Sequence, residues 1–380
     1  MEVSEDGFLL PRTSQPLADE EASSFASFCP GLGYPAPTHE TAATRSDVFG
    51  HVEDSYTAWA QDPNLRFAGA SGGALTALAQ CALEKGLVDA VVSVSGDEGG
   101  EPWSRSLCLK SEDSVYSIAG SRYAPVAPFA ALLSLPRESR VLVIGKPCDI
   151  AALRRLEANG AAGLPDVLYF LSFFCAGVPS LKGTSSLLTQ LGINSDEVQR
   201  IAYRGKGWPG HFEVETTDGR LGHMTYEQSW GTTLNKFLNV RCKLCQDGVG
   251  RYADIVAADY WSVDSRGYPT FVDQDGVSLL VARTQVGQLL IQEAVGQFLD
   301  VKPVPMANVY ERQPSQVRRF RYSGIRRLGY KLAGSLVPQI VTRNAVKALC
   351  EAPFEAMRQF VGAYRRGRRQ SMSPNSGSGT

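Results

Sequence analysis

Cys242 and Cys245 stand two residues apart within Asn-Val-Arg-Cys-Lys-Leu-Cys-Gln-Asp-Gly-Val-Gly, positions 239–250. A two-residue spacer lets two thiolates share one metal centre without straining the backbone. Gly248 and Gly250 turn the chain just after the pair. The pair supplies two ligands only, so others must come from elsewhere. Alone, it reads as half a zinc site, half an iron–sulfur site, a redox dithiol or two unconnected buried cysteines. Cys148 and Cys175 share a local context: each directly follows an apolar run that reads as a strand, where the chain turns towards a helix. In open α/β sheets the carboxyl ends of the strands carry the ligand crevice. Cys148 also opens a helical pattern, a position that favours thiolate. Cys81 lies in an apolar helix, Cys108 in a strand and Cys350 in a basic tail, so these three read as structural.

Two other stretches suit an anionic, planar ligand. Gly69-Ala-Ser71-Gly72-Gly73 leads into a helical pattern over 74–85 that stops at Gly86. Glycines at a helix start allow close backbone approach, and the free N–H groups there bind anions such as a flavin or nucleotide phosphate. An ordinary Ser cap on a core helix is the alternative. Tyr203-Arg204-Gly-Lys206-Gly-Trp208-Pro-Gly210 is a basic loop carrying an aromatic. It could hold such a ligand by charge and stacking, or be a decorated hairpin loop. His211 and His223 flank the hairpin and read as structural. No side chain stands out as a general acid or base.

The elements that must place these residues alternate. Strands are expected over 88–95, 140–144 and 167–174, and helices over 74–85, 127–135, 150–158 and 287–299. This βαβ alternation predicts an α/β fold with a parallel sheet. Asp218-Gly219 between two alternating runs predicts a hairpin over 212–225. The expected organisation has four parts: an irregular segment over 1–66, its first twenty residues disordered and Pro35 and Pro37 keeping a later stretch extended; an α/β flavin-binding region over 67–185; an appended α+β cluster-binding region over 186–305; and a basic helical tail over 306–380, broken by Pro353 and flexible at its Ser/Gly-rich end.

Apolar residues make up 43% of the 380, enough for a sizeable core. The net charge of −1 hides an asymmetry. Residues 1–60 hold ten acids against Arg12 and Arg45, while residues 318–380 hold thirteen Lys and Arg against Glu351 and Glu355. The tail is therefore +11 and everything before it −12. That tail suits an anionic membrane surface, with Leu349, Phe354, Phe360 and Val361 as its apolar face. The acidic, polar first residues do not read as a signal peptide, and no apolar run is long enough to cross a membrane. A cytoplasmic protein, peripheral at the inner face of the membrane through its tail, is expected, with thiols rather than disulfides. Nucleic acid is not expected as a partner.

In this order, Ser71-Gly72-Gly73, Gly145-Lys-Pro-Cys148, Phe174-Cys175-Ala-Gly177-Val-Pro179-Ser180, Arg204-Gly-Lys206-Gly-Trp208-Pro-Gly210, Arg241-Cys242-x-x-Cys245-x-Asp247 and Ala253-Asp254-Ile255 resemble the coenzyme F420 hydrogenase/dehydrogenase beta subunit family over about 67–300. The resemblance implies an oxidoreductase with FAD and one [4Fe-4S] cluster. The flavin would exchange hydride with a deazaflavin or other organic substrate. The cluster would exchange single electrons with a ferredoxin-like donor or partner subunit. It implies Cys148, Cys175, Cys242 and Cys245 as cluster ligands, Ser71, Gly72 and Gly73 as flavin phosphate contacts, and Lys206 as a flavin or substrate contact. Family members usually carry an N-terminal ferredoxin-like segment, of which only Cys29-Pro30-Gly31 is left here. Many have Gln where Asp149 stands, and Gly-Asp where Ala258-Asp259 stands. Related chains occur in surface-polysaccharide biosynthesis. The alternative is a non-catalytic zinc protein that partners envelope or polysaccharide assembly, since four thiolates suit Zn²⁺ equally by count.

Overall fold

The computed structural model describes residues 1–33, 48–96, 103–111, 113–265, 269–340 and 343–371. Pro35, Pro37 and the Ser/Gly-rich end from 372 lie outside the described residues. The chain opens with a small ribbon, β1 (Glu2–Val3) and β2 (Leu9–Leu10), and a helix, α1 (Asp19–Phe28). Strand β3 (Asp54–Ala60) and the short helix α2 (Pro63–Ala68) follow, then α3 (Ala74–Glu84). The expected irregular, partly disordered segment over 1–66 is thus corrected. Residues 1–20 form part of the ribbon and helix, and β3 is an inner strand of the main sheet. Its buried side chains, Ala58 and Ala60 on one face and Ser55 on the other, are small and weakly apolar, so the strand is faint in the sequence.

Two strands come next, β4 (Ala90–Gly96) and β5 (Ser104–Leu109), then β6 (Arg140–Gly145), α4 (Pro147–Ala158), β7 (Asp166–Phe173) and α5 (Leu181–Leu191). The expected helix over 127–135 is only a 3-10 turn at Ala130–Ser134. Pro128 lies inside the expected span and removes a helical donor. The β-rich stretch then gives β8 (Val198–Ala202), β9 (His211–Thr216) and β10 (Leu221–Thr225), which make a separate three-stranded antiparallel sheet. The hairpin turns at Gly219, with φ +84°, as its Asp-Gly pair predicts. A π-helical turn at Glu227–Thr233 leads to α6 (Val240–Leu244).

Strands β11 (Ile255–Asp259) and β12 (Ser278–Ala282), helix α7 (Gln285–Ala294) and strand β13 (Leu299–Pro303) return to the main sheet. The helix expected over 287–299 therefore stops early: Gly296, at φ +82°, turns the chain into β13. Four helices complete the chain: α8 (Met306–Arg312), α9 (Pro314–Leu332), α10 (Arg343–Glu351) and α11 (Pro353–Ser371). Pro353 starts α11, where a missing N–H costs nothing.

The main sheet runs β13-β3-β12-β11-β7-β6-β4-β5. Its centre, β11-β7-β6-β4, is parallel, and the outer pairs are antiparallel. The fold is α/β around that parallel centre, with helices at the C-terminus. The apolar runs of β4, β6 and β7 are buried on both faces, as parallel strands require. Helices α3 and α7 cover one face around Leu78, Ala82, Leu280 and Leu290. Helix α4 covers the other, with Ile150 and Leu153 against Val143 and Phe170. The sheet draws strands from both sides of the expected 185/186 boundary.

Candidate functional site

A cavity of about 900 Å³ opens where the parallel strands end. Val94 of β4, Gly145 of β6, Phe173 of β7 and Asp259 of β11 line it, in the crevice at the carboxyl ends of the strands. At one end stands the glycine stretch before α3. Gly73 has φ +71°, and a Cβ there would meet the Leu65 carbonyl oxygen at 2.9 Å, so only glycine suits. No side chain caps α3, and Ala74, Leu75 and Thr76 of its first turn line the cavity. Ser71 also lines it, but its hydroxyl donates to the carbonyls of Val277 (3.1 Å) and Ala258 (3.3 Å). The Ser cap is therefore absent. Gly72 turns to the sheet instead. Its carbonyl accepts from the Ala60 N–H at 2.7 Å, and a Cβ would sit 2.9 Å from the Ser278 nitrogen.

Cys175 lines the other end, and the other three singled-out thiols lie near it. Cys148 sits in the first turn of α4. Asp149 accepts from the Lys146 N–H at 3.0 Å and pairs with Lys146 Nζ at 2.7 Å, which gives this departure from the family pattern a capping role. Cys175 follows β7: its N–H donates to the Gly248 carbonyl at 2.8 Å. The Gly177 N–H donates to Cys175 Sγ at 3.3 Å. Gly177 has φ +120°, and a Cβ there would lie 3.0 Å from Cys242 Cβ, so the two cysteine loops touch. Cys242 lies within α6 and Cys245 directly after it. All four are half-buried.

These thiols feel one another. Cys148 is influenced by Cys175 and Cys245, Cys175 by Cys242, and Cys245 by both Cys175 and Cys242. Burial, then Asp149, pushes Cys148 well above the usual thiol range. Burial, then Cys242, takes Cys175 to about 11, and burial, then Asp247, takes Cys245 to about 12. Such thiols are neutral near pH 7 unless a bound cation takes their protons' place. Among the described residues, no three His, Cys, Asp or Glu side chains converge on a single ion. A polynuclear cluster does not need that convergence, because its cysteines share the irons between them.

A cationic and aromatic wall joins the two ends. Arg204 is 4% exposed and binds Asp259 with both terminal nitrogens, at 2.9 and 2.7 Å. Its guanidinium lies over the rings of Tyr226 and Trp261, 4.8 and 5.1 Å from their centroids. Burial lowers the Arg204 pKa and Asp259 raises it; the carboxylate wins. Trp208 stacks behind Trp261 at 5.0 Å and donates to Asp259 at 3.3 Å. Lys206 instead pairs with Glu213 at 2.6 Å, half-exposed and outside the cavity lining. The basic loop thus gives the site Arg204 rather than Lys206. Residue type could not separate the two; Asp259, far along the chain, does.

Further lining residues escaped sequence reasoning. Arg122 and Tyr123 come from an irregular stretch, and Tyr226 and Trp230 from the π-helical region. Arg312, Gln313, Arg319 and Arg326 come from α8, α9 and the link between them. Gln313 donates to the Asp259 carbonyl at 2.6 Å. The segment expected to be a basic helical tail therefore lines the site. Of the three cysteines expected to be structural, Cys81 is buried in α3, Cys108 is half-buried on β5 and Cys350 is exposed on α10.

Comparison with known proteins agrees with this fold. Residues 55–134 match the family model for the N-terminal part of the coenzyme F420 hydrogenase/dehydrogenase beta subunit, and residues 138–306 match that for its C terminus. The chain is 27% identical over 237 residues to the coenzyme F420-dependent sulfite reductase of Methanocaldococcus jannaschii, covering 58% of this chain and 34% of that protein. It is 26% identical to the F420-dependent formate dehydrogenase 1 subunit beta of Methanococcus maripaludis, over 63% of this chain and 59% of that one. It is 25% identical to the coenzyme F420 hydrogenase subunit beta of Methanothermobacter thermautotrophicus, over 68% and 86% respectively. The chain thus spans about a third of the first relative's length and 59% of the second's. In fold it matches a chain of the F420-reducing [NiFe] hydrogenase complex of Methanosarcina barkeri, with TM-score 0.56 and 21% identity, over 78% of this chain and 98% of that one. With both parts of the subunit matched in order across one continuous sheet, the chain belongs to the coenzyme F420 hydrogenase/dehydrogenase beta subunit family.

Proposed function

We propose that this oxidoreductase-family chain is an iron–sulfur flavoprotein. FAD lies in the cavity with its phosphates at the start of α3, and one [4Fe-4S] cluster is held by Cys148, Cys175, Cys242 and Cys245. The observation that carries this reading is one cavity reaching from the uncapped start of α3 to Cys175. When bound, the flavin supplies two-electron chemistry and the cluster one-electron transfer. The protein's part is placement and electrostatics. The first turn of α3 offers N–H groups to an anion. Gly73 and Ser71 allow that approach, while Gly72 anchors the stretch to the sheet. Tyr226 and Trp261, held by Arg204 and Asp259, give a planar ligand an aromatic wall. The Gly177 N–H favours an anionic sulfur on Cys175. Lys206 contributes no cofactor contact in this reading.

Zinc suits four thiolates by number. The cluster is favoured because Cys175 lines the same cavity as the uncapped start of α3 and its loop touches that of Cys242, which puts a redox centre beside the flavin site. The substrate is a deazaflavin or another organic hydride acceptor or donor. That class follows from relatives named for F420-dependent reactions. Two of those relatives are named as subunits, which supports a partner subunit or a ferredoxin-like donor for single electrons. Peripheral contact with an anionic membrane belongs to the same reading. Phe354 is 92% exposed, and Val346, Leu349 and Met357 are also exposed on α10 and α11 near Lys347 and Arg358. Phe360 instead packs against Tyr322 and Ile325 and is withdrawn from that face. No helix of the described residues is long and apolar enough to cross a membrane.

Absorption spectroscopy of anaerobically purified protein tests the assignment. Flavin bands over a broad iron–thiolate absorption are expected. A colourless protein carrying one zinc contradicts it.

A further inference from the structure

Helix α9 lies beyond the family match, which ends at residue 306, yet it reaches the thiols. Arg319 donates to the Cys175 carbonyl at 3.1 Å and to the Ala176 carbonyl at 2.5 Å. Gln316, one turn earlier, donates to the Cys175 carbonyl at 3.4 Å. Arg319 is half-buried and lines the cavity. Among the described residues, no carboxylate stands within ion-pair distance of it. Two turns along the same helix, Arg326 also lines the cavity, with Nε bonded to Gln359 Oε1 at 2.8 Å. Burial, then the like charges of Arg319, Arg366 and Arg318, lowers Arg326 to about 10. Arg318 is taken up by Glu355, but among the described residues Arg319 and Arg326 have no ion-pair partner, and half-buried cations so placed call for a counter-charge close by.

The proposed cluster provides one. Four thiolates outweigh the positive charge of the iron–sulfur core, so the loaded site is anionic, and it gains a further negative charge on one-electron reduction. A nearby cation therefore stabilises the reduced form more than the oxidised form and raises the potential. Resting on the iron–sulfur reading above, we infer that Arg319 is a positioning residue that sets the reduction potential of the cluster, with Arg326 reinforcing it, and that the C-terminal helices are part of the redox centre.

The test is a mediated redox titration of anaerobic holoprotein, followed by electron paramagnetic resonance, with iron and flavin measured on each sample. Arg319→Gln should move the cluster midpoint to a more negative potential. Arg319→Lys keeps the charge and should stay near wild type. Arg326→Gln should shift less, in the same direction. An Arg319→Gln protein with full iron and the wild-type midpoint overturns the inference. So does an Arg319→Lys protein that moves as far as Arg319→Gln, because hydrogen bonding rather than charge would then be the cause. If Arg319→Gln cannot hold the cluster, Arg326→Gln decides, since that side chain bonds Gln359 and not the Cys175 loop; an unmoved midpoint there overturns the inference. A wild-type protein without iron removes the underlying reading and this inference together, and iron analysis records that before any potential is compared.

Discussion

At Arg204, burial and charge oppose each other, and Asp259 decides the outcome. The guanidinium is almost wholly enclosed and fixed in a bidentate pair, so removing the carboxylate strands a buried charge. Asp259→Asn should destabilise the fold by roughly 3–5 kcal/mol, read as a fall in the urea midpoint. Arg204→Lys should also lose stability, because a single ammonium cannot reproduce the fork. A change of a few tenths would show that the pair is not buried as described. Glu157 makes a separate, pH-dependent prediction. Burial raises its pKa from 4.5 to about 7; Arg154 opposes this, and Asp166 and Asp254 add to it. Between those values the folded chain holds a proton that the unfolded chain has released. Stability should therefore fall as pH rises through this window. Glu157→Gln should flatten that part of the stability curve, measured by urea unfolding from pH 4 to 8 (roughly the span of the two pKa values). An unchanged slope contradicts the buried acid. At this scale Cys148 and Cys175 were legible, because each ends an apolar run. Arg319 was not, since an arginine in a basic run reads as solvated and Cys175 is remote in sequence.

At the level of elements, the start of α3 makes the next test. Gly72→Val is no clean probe of flavin binding, because the side chain would press on Ser278 and Ala58 and damage the sheet. Ala70 is better placed: it is half-buried and lines the cavity beside the helix start. Ala70→Asp puts a carboxylate where a phosphate would lie and competes for the same positive helix end. Flavin per chain should fall severalfold while far-ultraviolet circular dichroism is retained. Wild-type flavin content in the variant would place the phosphates elsewhere. Elements with strong local signals were read correctly: the Ala/Leu-rich α3, the Val/Ile runs of β6 and the Asp-Gly hairpin. Strand β3 was missed because its buried side chains, Ser55, Ala58 and Ala60, are small and weakly apolar. Pro128 turned an apolar expected helix into a short turn. Helix α9 carries many charges, and its buried Gly324, Gly329 and Ser323 do not advertise a packed face.

Across the whole molecule, the basic tail is partly neutralised by its own two acids. Glu351 and Glu355 take up Arg318, Arg321, Lys347 and Arg358 within α9–α11. The remaining cations and the exposed Phe354 leave a surface suited to anionic lipid, each basic residue near it contributing about 1 kcal/mol. Full-length protein should sediment with phosphatidylserine vesicles at low salt, and Phe354→Asp should weaken this; equal sedimentation by both forms rules the contact out. The parallel-sheet architecture and four thiols were legible from alternation and spacing. The closure of their cavity by residues 312–326 was not, because it depends on a helix returning to the sheet edge from beyond the family match. The central claim is one four-iron cluster on Cys148, Cys175, Cys242 and Cys245. Iron and acid-labile sulfide analysis of anaerobically reconstituted wild-type and Cys175→Ser protein tests it most directly. About four irons and four sulfides per wild-type chain are predicted, with loss of the intact cluster in the variant. Zinc without sulfide in the wild type, or full iron in Cys175→Ser, would contradict it.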